Sequence, residues 1–475
     1  MTDNSSIEPG RSVLDSADGH NDKKIVIALF FFSLLARVVY VVFFNVNRLA
    51  HAQNIFRLRH DDQGSFWQFA AAVLEDKLWL TSHISFRPPL YPLFLALIAS
   101  AFGTGKNFIA IMLVQCVIGS FSVLFIYFIA KTVFNRQTAA LSASWAAVYP
   151  LFLYYCGFLL AETMVIFLFL FFVLSVLMFL RREKLLIMAG SGILYALLIH
   201  ADPRFLFHFP FVFFYLYIGL ADLKKTVKPF IMLSLIALLC SVPWAVRNHF
   251  TYKDRFVLIN TRTLDMWAKR TVVNVNGRTG DEQNSEGNAK PKSLEQFEEW
   301  KRKTLTEHPG DGRETPGDNE GKKGPAWKIS QGEISAFENG ARPSFSIPGL
   351  YLHHFLEFWR FARFTPGYDP YPDLRFESKW GRDRNLIGIA FTGVLLPSFA
   401  AGIFFCVKRR SRFGLLLCAI MFTHMLLHMI VHSRERYRMP IEGFIFMVAF
   451  YVLREIVAKF KMYTKSGERY EASQG

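Results

Sequence analysis

The sequence predicts an all-α polytopic membrane protein, and three observations carry that expectation. Apolar runs recur along the 475-residue chain at lengths that suit the hydrocarbon core of a bilayer, which takes about 20 residues per helix. The composition is 52% hydrophobic and 16% aromatic, with 50 Phe. The formal charge of +16 sits largely on Lys and Arg in short loops between apolar runs. That placement orients spans in a membrane and argues against nucleic acid as the partner.

The apolar runs fall near 25–44, 89–103, 108–130, 138–158, 160–180, 185–200, 205–220, 229–246, 386–407, 413–431 and 440–458. The basic loops are Lys23-Lys24, Lys131 to Arg136, Arg181 to Lys184, Lys224 to Lys228, Lys408 to Arg412 and the tail from Lys459. All six fall on the cytoplasmic side if the run 89–103 does not cross. That run is short and begins at Pro-Pro, so it is expected as a half-inserted helix at the outer surface, leaving about ten crossing helices.

The expected organisation is a flexible cytoplasmic tail (1–24), an N-terminal transmembrane module (25–246) with an outer-face loop at 45–107, a large outer-face loop (247–385), C-terminal spans (386–458) and a cytoplasmic tail (459–475). The middle of the large loop is rich in Gly, Asn, Glu, Lys and Pro without apolar periodicity and reads as partly flexible. Within that loop a polar helix is expected over 294–306, and an aromatic, basic helix over 349–364 reads as lying in the membrane interface. All five cysteines lie in or beside apolar runs without metal-ligand spacing, so neither disulfides nor structural zinc are expected. There is no phosphate-binding glycine loop.

The same parity brings the polar residues to the outer face. Asp61 and Asp62 open an amphipathic segment beside the membrane, where charge is costly. They read either as a helix N-terminus, which favours Asp, or as a base for an acceptor hydroxyl. Arg87 is either an interfacial anchor or a phosphate contact. Arg37 lies inside the first apolar run and is expected to face the bundle interior or a phosphate. Glu162 either caps the span that follows it or serves as a second acid. Arg434, Arg436 and Arg438 crowd an outer turn where positive charge is disfavoured, which points to an anionic ligand there. Tyr91, Asp202, Arg204, Arg247, Asn248 and Tyr437 are further candidates to line the site. His424, His428 and His432 recur every four residues on one helix face, as a polar stripe or a metal site.

Taken together, Asp62 four residues before Phe66, Arg87-Pro-Pro-Leu-Tyr-Pro, Leu160-Ala-Glu162, Pro243-Trp-x-x-Arg247-Asn248 and Arg436-Tyr-Arg-x-Pro440 resemble the protein O-mannosyltransferase and aminoarabinose transferase superfamily. These are GT-C-type membrane glycosyltransferases, glycosyltransferase family 39-like, that use polyprenyl-phosphate sugars. The resemblance implies a GT-C fold and an N-terminal module carrying the catalytic groups. It implies that Asp62, rather than Asp61, is the catalytic carboxylate and Glu162 the second acid. It also implies that Arg87 contacts the donor phosphate, with Arg37, Arg434, Arg436 and Arg438 available to the same anion. Phe66 stands where relatives usually carry Tyr. The implied reaction moves a sugar from a polyprenyl-phosphate donor to a hydroxyl of a glycan, lipid or protein, with inversion. No cofactor is required, although a divalent metal is compatible. The pattern is most like that of bacterial members, which implies an inner-membrane protein whose site faces the periplasm. The alternatives from other classes are a polyprenyl-phosphate-lipid flippase, which would carry broken midplane helices and internal symmetry, and a non-catalytic lipid-binding subunit.

Overall fold

The computed structural model describes residues 19–45, 62–75, 87–103, 108–251, 257–260, 359, 393, 395–408, 411–431 and 435–472. Residues 1–264 and 351–475 form one compact unit, and 265–350 a second that lies outside the described residues. The helices expected over 294–306 and 349–364 also fall outside them, apart from Trp359. Among the described residues the regular structure is entirely helical.

Helix α1 (Gly19–Tyr40) runs into a π-helical turn, Val41–Asn45. It buries Leu29, Ser33, Arg37 and Tyr40 while leaving Phe31, Phe32, Leu35 and Val39 exposed. Its buried stripe has the period of a helix face, and its outer face is more apolar than its inner one, which carries Ser33 and Arg37. Such a face is stable against lipid tails and costly in water. Among the described residues six helices are long and apolar enough to cross a membrane, or seven if a bent pair is counted as one span. The described apolar helices too short for that test are Leu90–Phe102, Leu185–Ala201 and Pro397–Lys408. The first of these is the run expected to stay at one surface. Its 13 residues extend only about 20 Å, against a hydrocarbon core of about 30 Å.

The remaining helices follow in order: α2 (Asp62–Leu74), α3 (Leu90–Phe102), α4 (Ile109–Val133), α5 (Arg136–Val148), α6 (Pro150–Cys156), α7 (Glu162–Arg182), α8 (Leu185–Ala201), α9 (Phe209–Leu220), α10 (Leu223–Thr251), α11 (Leu395–Lys408), α12 (Arg412–Val431) and α13 (Met439–Ala472). A 3₁₀ turn, Pro203–His208, joins α8 to α9, and a second, Glu435–Arg438, leads into α13. Helix α4 packs against α1, α5 and α7, and α13 lies against α5, α7 and α11. Residues Phe444 to Ala449 of α13 are all buried, as expected of a helix apolar on every side at the centre of a bundle.

The break between α5 and α6 bends the chain by 50°. Tyr149 is extended because Pro150 follows it, and the proline then opens the next helix at its first position. The short α6 ends near Gly157, and the turn after it delivers Glu162 to the first residue of α7. Two buried amides pin this corner. Gln115 on α4 donates to the Cys156 and Phe158 carbonyls at 3.0 and 2.9 Å, and the Leu159 amide donates to Gln63 of α2 at 3.1 Å.

Candidate active site

Four charged side chains from distant parts of the chain meet at helix starts. Asp62 is the first residue of α2, Glu162 the first of α7, Arg87 precedes the Pro-Pro start of α3, and Arg436 lies in the 3₁₀ turn before α13. Arg87 donates from Nη2 to Asp62 Oδ1 and to Ser65 Oγ, the latter at 3.0 Å. Arg436 spans both acids, with Nη2 on Asp62 Oδ2 at 3.1 Å and Nη1 on Glu162 Oε1 at 3.5 Å. The four side chains keep 12–18% of their surface, so the cluster is sheltered yet reachable.

Asp62 sits at a positive helix end, which favours its ionised form. Burial by itself raises the Asp62 carboxyl, but the charges of Arg87 and Arg436 more than reverse this and hold it at about 2. Asp62 is therefore ionised at neutral pH and, while both guanidiniums stay in place, a weak proton acceptor. Ala161, which caps α7, lends no side chain to the helix start, and Glu162 turns its carboxylate to Arg436.

Phe66 fills the position four residues after Asp62. Its ring lies under the Arg87 guanidinium at 4.9 Å and edge-on to Tyr91 at 5.1 Å. Tyr91 is fully buried and donates to Gln115, so it backs the site from behind Phe66.

A second layer holds Arg436. Asp202 and Arg204 form a bidentate pair (Nε to Oδ1 2.8 Å, Nη2 to Oδ2 2.5 Å), and the Arg204 guanidinium lies 3.8 Å over the Tyr437 ring. His428 stacks on the same tyrosine at 5.1 Å. His424 Nε2 meets the Tyr437 carbonyl at 2.7 Å, and its Nδ1 meets His208 Nε2 at 3.2 Å. A carbonyl only accepts, so neutral His424 carries its proton on Nε2, and His208 then donates to Nδ1. The histidine stripe thus grips the backbone next to Arg436. Among the described residues no group of three or more His, Cys, Asp or Glu is placed to hold a metal ion. His432, Arg434 and Asp61 lie outside the described residues.

Three candidate arginines stand apart from Asp62 and Glu162. Arg438 is fully buried and paired with Glu442 at 2.7 Å, one helical turn on. Arg247 and Asn248 hydrogen-bond each other at 3.0 Å, while Asn248 donates to the Val257 carbonyl at 2.9 Å and Trp244 to that of Ile259 at 2.8 Å. Trp244 also stacks on Phe69 of α2, so this group ties the chain leaving α10 to the helix that carries Asp62. Arg37 bonds Ser33 and the Ala147 carbonyl inside the bundle.

The sequence reading passed over Ser65, Gln63, Gln115, His208 and Glu442. Glu442 had a signal, its i,i+4 spacing from Arg438. For the two glutamines the only sign was an amide inside an apolar helix.

The architecture is that of a polytopic helical membrane protein with the GT-C fold. Residues 86–246 match the family described as dolichyl-phosphate-mannose-protein mannosyltransferase. Among solved structures, the chain is similar to the oligosaccharyltransferase AglB of Archaeoglobus fulgidus in complex with an inhibitory peptide and a dolichol-phosphate (TM-score 0.51, 12% identity, 96% of this chain and 52% of that one). It is also similar to the Archaeoglobus fulgidus oligosaccharyltransferase in the apo form (0.52, 13%, 94% and 52%) and to that enzyme tethered to an acceptor peptide containing the NVT sequon (0.53, 14%, 95% and 51%). The chain spans about half the length of these structures. No curated protein matches it in sequence. The resemblance to GT-C-type glycosyltransferases read from the sequence is borne out by the fold and the family match together.

Proposed function

We propose that this protein transfers a sugar from a polyprenyl-phosphate donor to an acceptor hydroxyl at the outer face of the membrane, with inversion at the anomeric carbon. The observation that carries this reading is the single guanidinium of Arg436 joining Asp62 and Glu162 while Arg87 holds the other oxygen of Asp62. The family match and the dolichol-phosphate and inhibitory peptide bound by the archaeal oligosaccharyltransferase support a lipid-phosphate donor and a separate acceptor.

In this reading the arriving donor phosphate competes with Asp62 for Arg87 or Arg436. Guanidinium suits phosphate as well as it suits carboxylate, because its planar fork makes paired hydrogen bonds to either. A guanidinium turned toward phosphate no longer depresses Asp62, whose proton affinity rises once the donor is in place. Asp62 then orients and deprotonates the acceptor hydroxyl as it attacks the anomeric carbon, and the carbon–oxygen bond to the lipid phosphate breaks. Phosphate is a good leaving group, so the site needs positive charge facing it more than it needs a strong general acid. Arg87 and Arg436 supply that charge. Glu162 steadies Arg436 from the far side.

The test is transfer by the purified chain in detergent, supplied with radiolabelled polyprenyl-phosphate sugars and extracts of the native envelope, with Asp62→Asn run in parallel. Label that enters an acceptor only with Asp62 present supports the reading. Donor binding without transfer by the wild-type chain would favour a flippase or a lipid-binding subunit instead.

A further inference from the structure

Arg204 carries a fork of donors that the fold leaves open. Asp202 occupies one edge of its guanidinium, with Nε at 2.8 and 3.0 Å from the two carboxylate oxygens and Nη2 at 2.5 Å from Oδ2. The same carboxylate accepts from the Arg204 amide at 3.1 Å, which fixes the pair at the start of the 3₁₀ turn. Nη1 has no hydrogen-bond partner among the described residues. Its N–H groups and the second N–H of Nη2 form the end-on fork of the guanidinium, which can hold two oxygens of one anion side by side.

That fork is set beside the acid cluster. The guanidinium lies 3.8 Å over the Tyr437 ring, and Arg436 approaches the same ring at 5.2 Å. The Tyr437 hydroxyl accepts from Arg436 Nη2 at 3.4 Å, so one tyrosine serves both cations. Arg204 keeps 30% of its side-chain surface, against 12% for Arg87 and 15% for Arg436, and is the most open of the three to an anion arriving from outside. A pair that only braced the turn would work as well with Lys, whose point charge suits a lone carboxylate. Arg adds a second, rigid edge, and here that edge is unused.

We propose that the open fork of Arg204 binds a phosphate group other than the one that Arg87 takes, brought either as a second phosphate of the donor or as a phosphate on the acceptor. The inference rests on the proposed sugar transfer for its assignment of Arg87. Its test reads binding alone, so the two readings fail separately.

Calorimetry on the purified chain in detergent measures the binding of farnesyl phosphate, of farnesyl diphosphate, and of inorganic phosphate added to the chain saturated with farnesyl phosphate. If the donor brings the second phosphate, the wild type prefers the diphosphate by about ten- to a hundredfold, and Arg204→Gln removes most of that preference. If the acceptor brings it, the wild type binds the two lipids alike and takes up inorganic phosphate saturably, with a midpoint raised about tenfold in Arg204→Gln. Asp202→Asn carries the test where Arg204→Gln does not fold. Asn still caps the turn but leaves Arg204 uncompensated, so the second phosphate binds about two- to fivefold more tightly, whereas a purely bracing pair gives weaker binding or no change. A diphosphate preference or phosphate uptake that survives intact in Arg204→Gln overturns the proposal. A wild-type chain that shows neither, yet transfers sugar, overturns it and leaves the transfer reading standing. A chain that binds no lipid phosphate at all sinks both.

Discussion

Replacing Arg436 with Gln removes a side chain that touches both acids. The variant loses the contact of Nη2 with Asp62 at 3.1 Å and that of Nη1 with Glu162 at 3.5 Å, while the Arg87 contact with Asp62 stays. Two consequences follow, and they differ in size. Because the carboxylates retain 15–18% of their surface, water relieves part of the loss, and the cost to stability is about 1–3 kcal/mol. The cost to transfer is larger, since a preorganised charge facing a developing anion contributes about 2–4 kcal/mol to the barrier, or roughly a 30- to 1,000-fold loss in turnover. Lys at this position keeps the charge but places it at a single point, so it serves one carboxylate at a time and falls between Gln and wild type. The assay is label transfer from the polyprenyl-phosphate donor at saturating donor and acceptor, alongside thermal melting of each variant. Wild-type turnover by a folded Arg436→Gln chain would refute the assignment of Arg436 to the reacting anion.

Three further outcomes are expected. Asp62 has its folded pKa lowered from the ordinary carboxylate value to about 2, so its stabilising contribution is present above about pH 4 and is lost as the pH falls toward 2. That contribution is about 2 kcal/mol, and acid melting curves of Asp62→Asn should lack it. His424→Phe keeps the ring contacts but loses the bond to the Tyr437 carbonyl, so the KM for donor should rise about tenfold, while His424→Gln, which still donates from the Nε2 position, should restore it. Arg438→Met strands Glu442 in the core and should destabilise the chain by about 3–5 kcal/mol in chemical melts, whereas Arg438→Met with Glu442→Leu should recover most of that.

The membrane class was legible because it rests on additive quantities, apolar run length and the placement of Lys and Arg. The meeting of Asp62, Glu162 and Arg436 was half-legible. Loop parity put all three on one side of the membrane, but parity says nothing about which side chains touch. The three arginines before α13 looked equivalent in sequence, yet two residues of helical rotation separate functions. Arg436 points to the two acids, and Arg438, two residues on, points into the core at Glu442. The glutamines were not legible, because a buried amide is useful only through the particular carbonyls it reaches. Gln115 earns its place by bonding a corner 41 and 43 residues away.

These contacts explain why a charged cluster persists at the end of an apolar bundle. Asp62, Glu162, Arg87 and Arg436 sum to zero charge, which limits the desolvation cost of keeping them 12–18% exposed. A self-neutralised cluster is also inert until something competes for its arginines. Rigid support makes that competition selective. Arg436 is flanked by a backbone carbonyl gripped by His424 and by the buried Arg438–Glu442 pair, so it cannot follow an ill-fitting anion outward. Arg87 is held by Asp62, Ser65 and the face of Phe66, at the start of the short α3. The donor phosphate is therefore expected to draw on Arg87 first, leaving Arg436 to keep the two acids apart. On that order of events Arg87→Ala weakens donor binding, while Arg436→Gln chiefly lowers turnover.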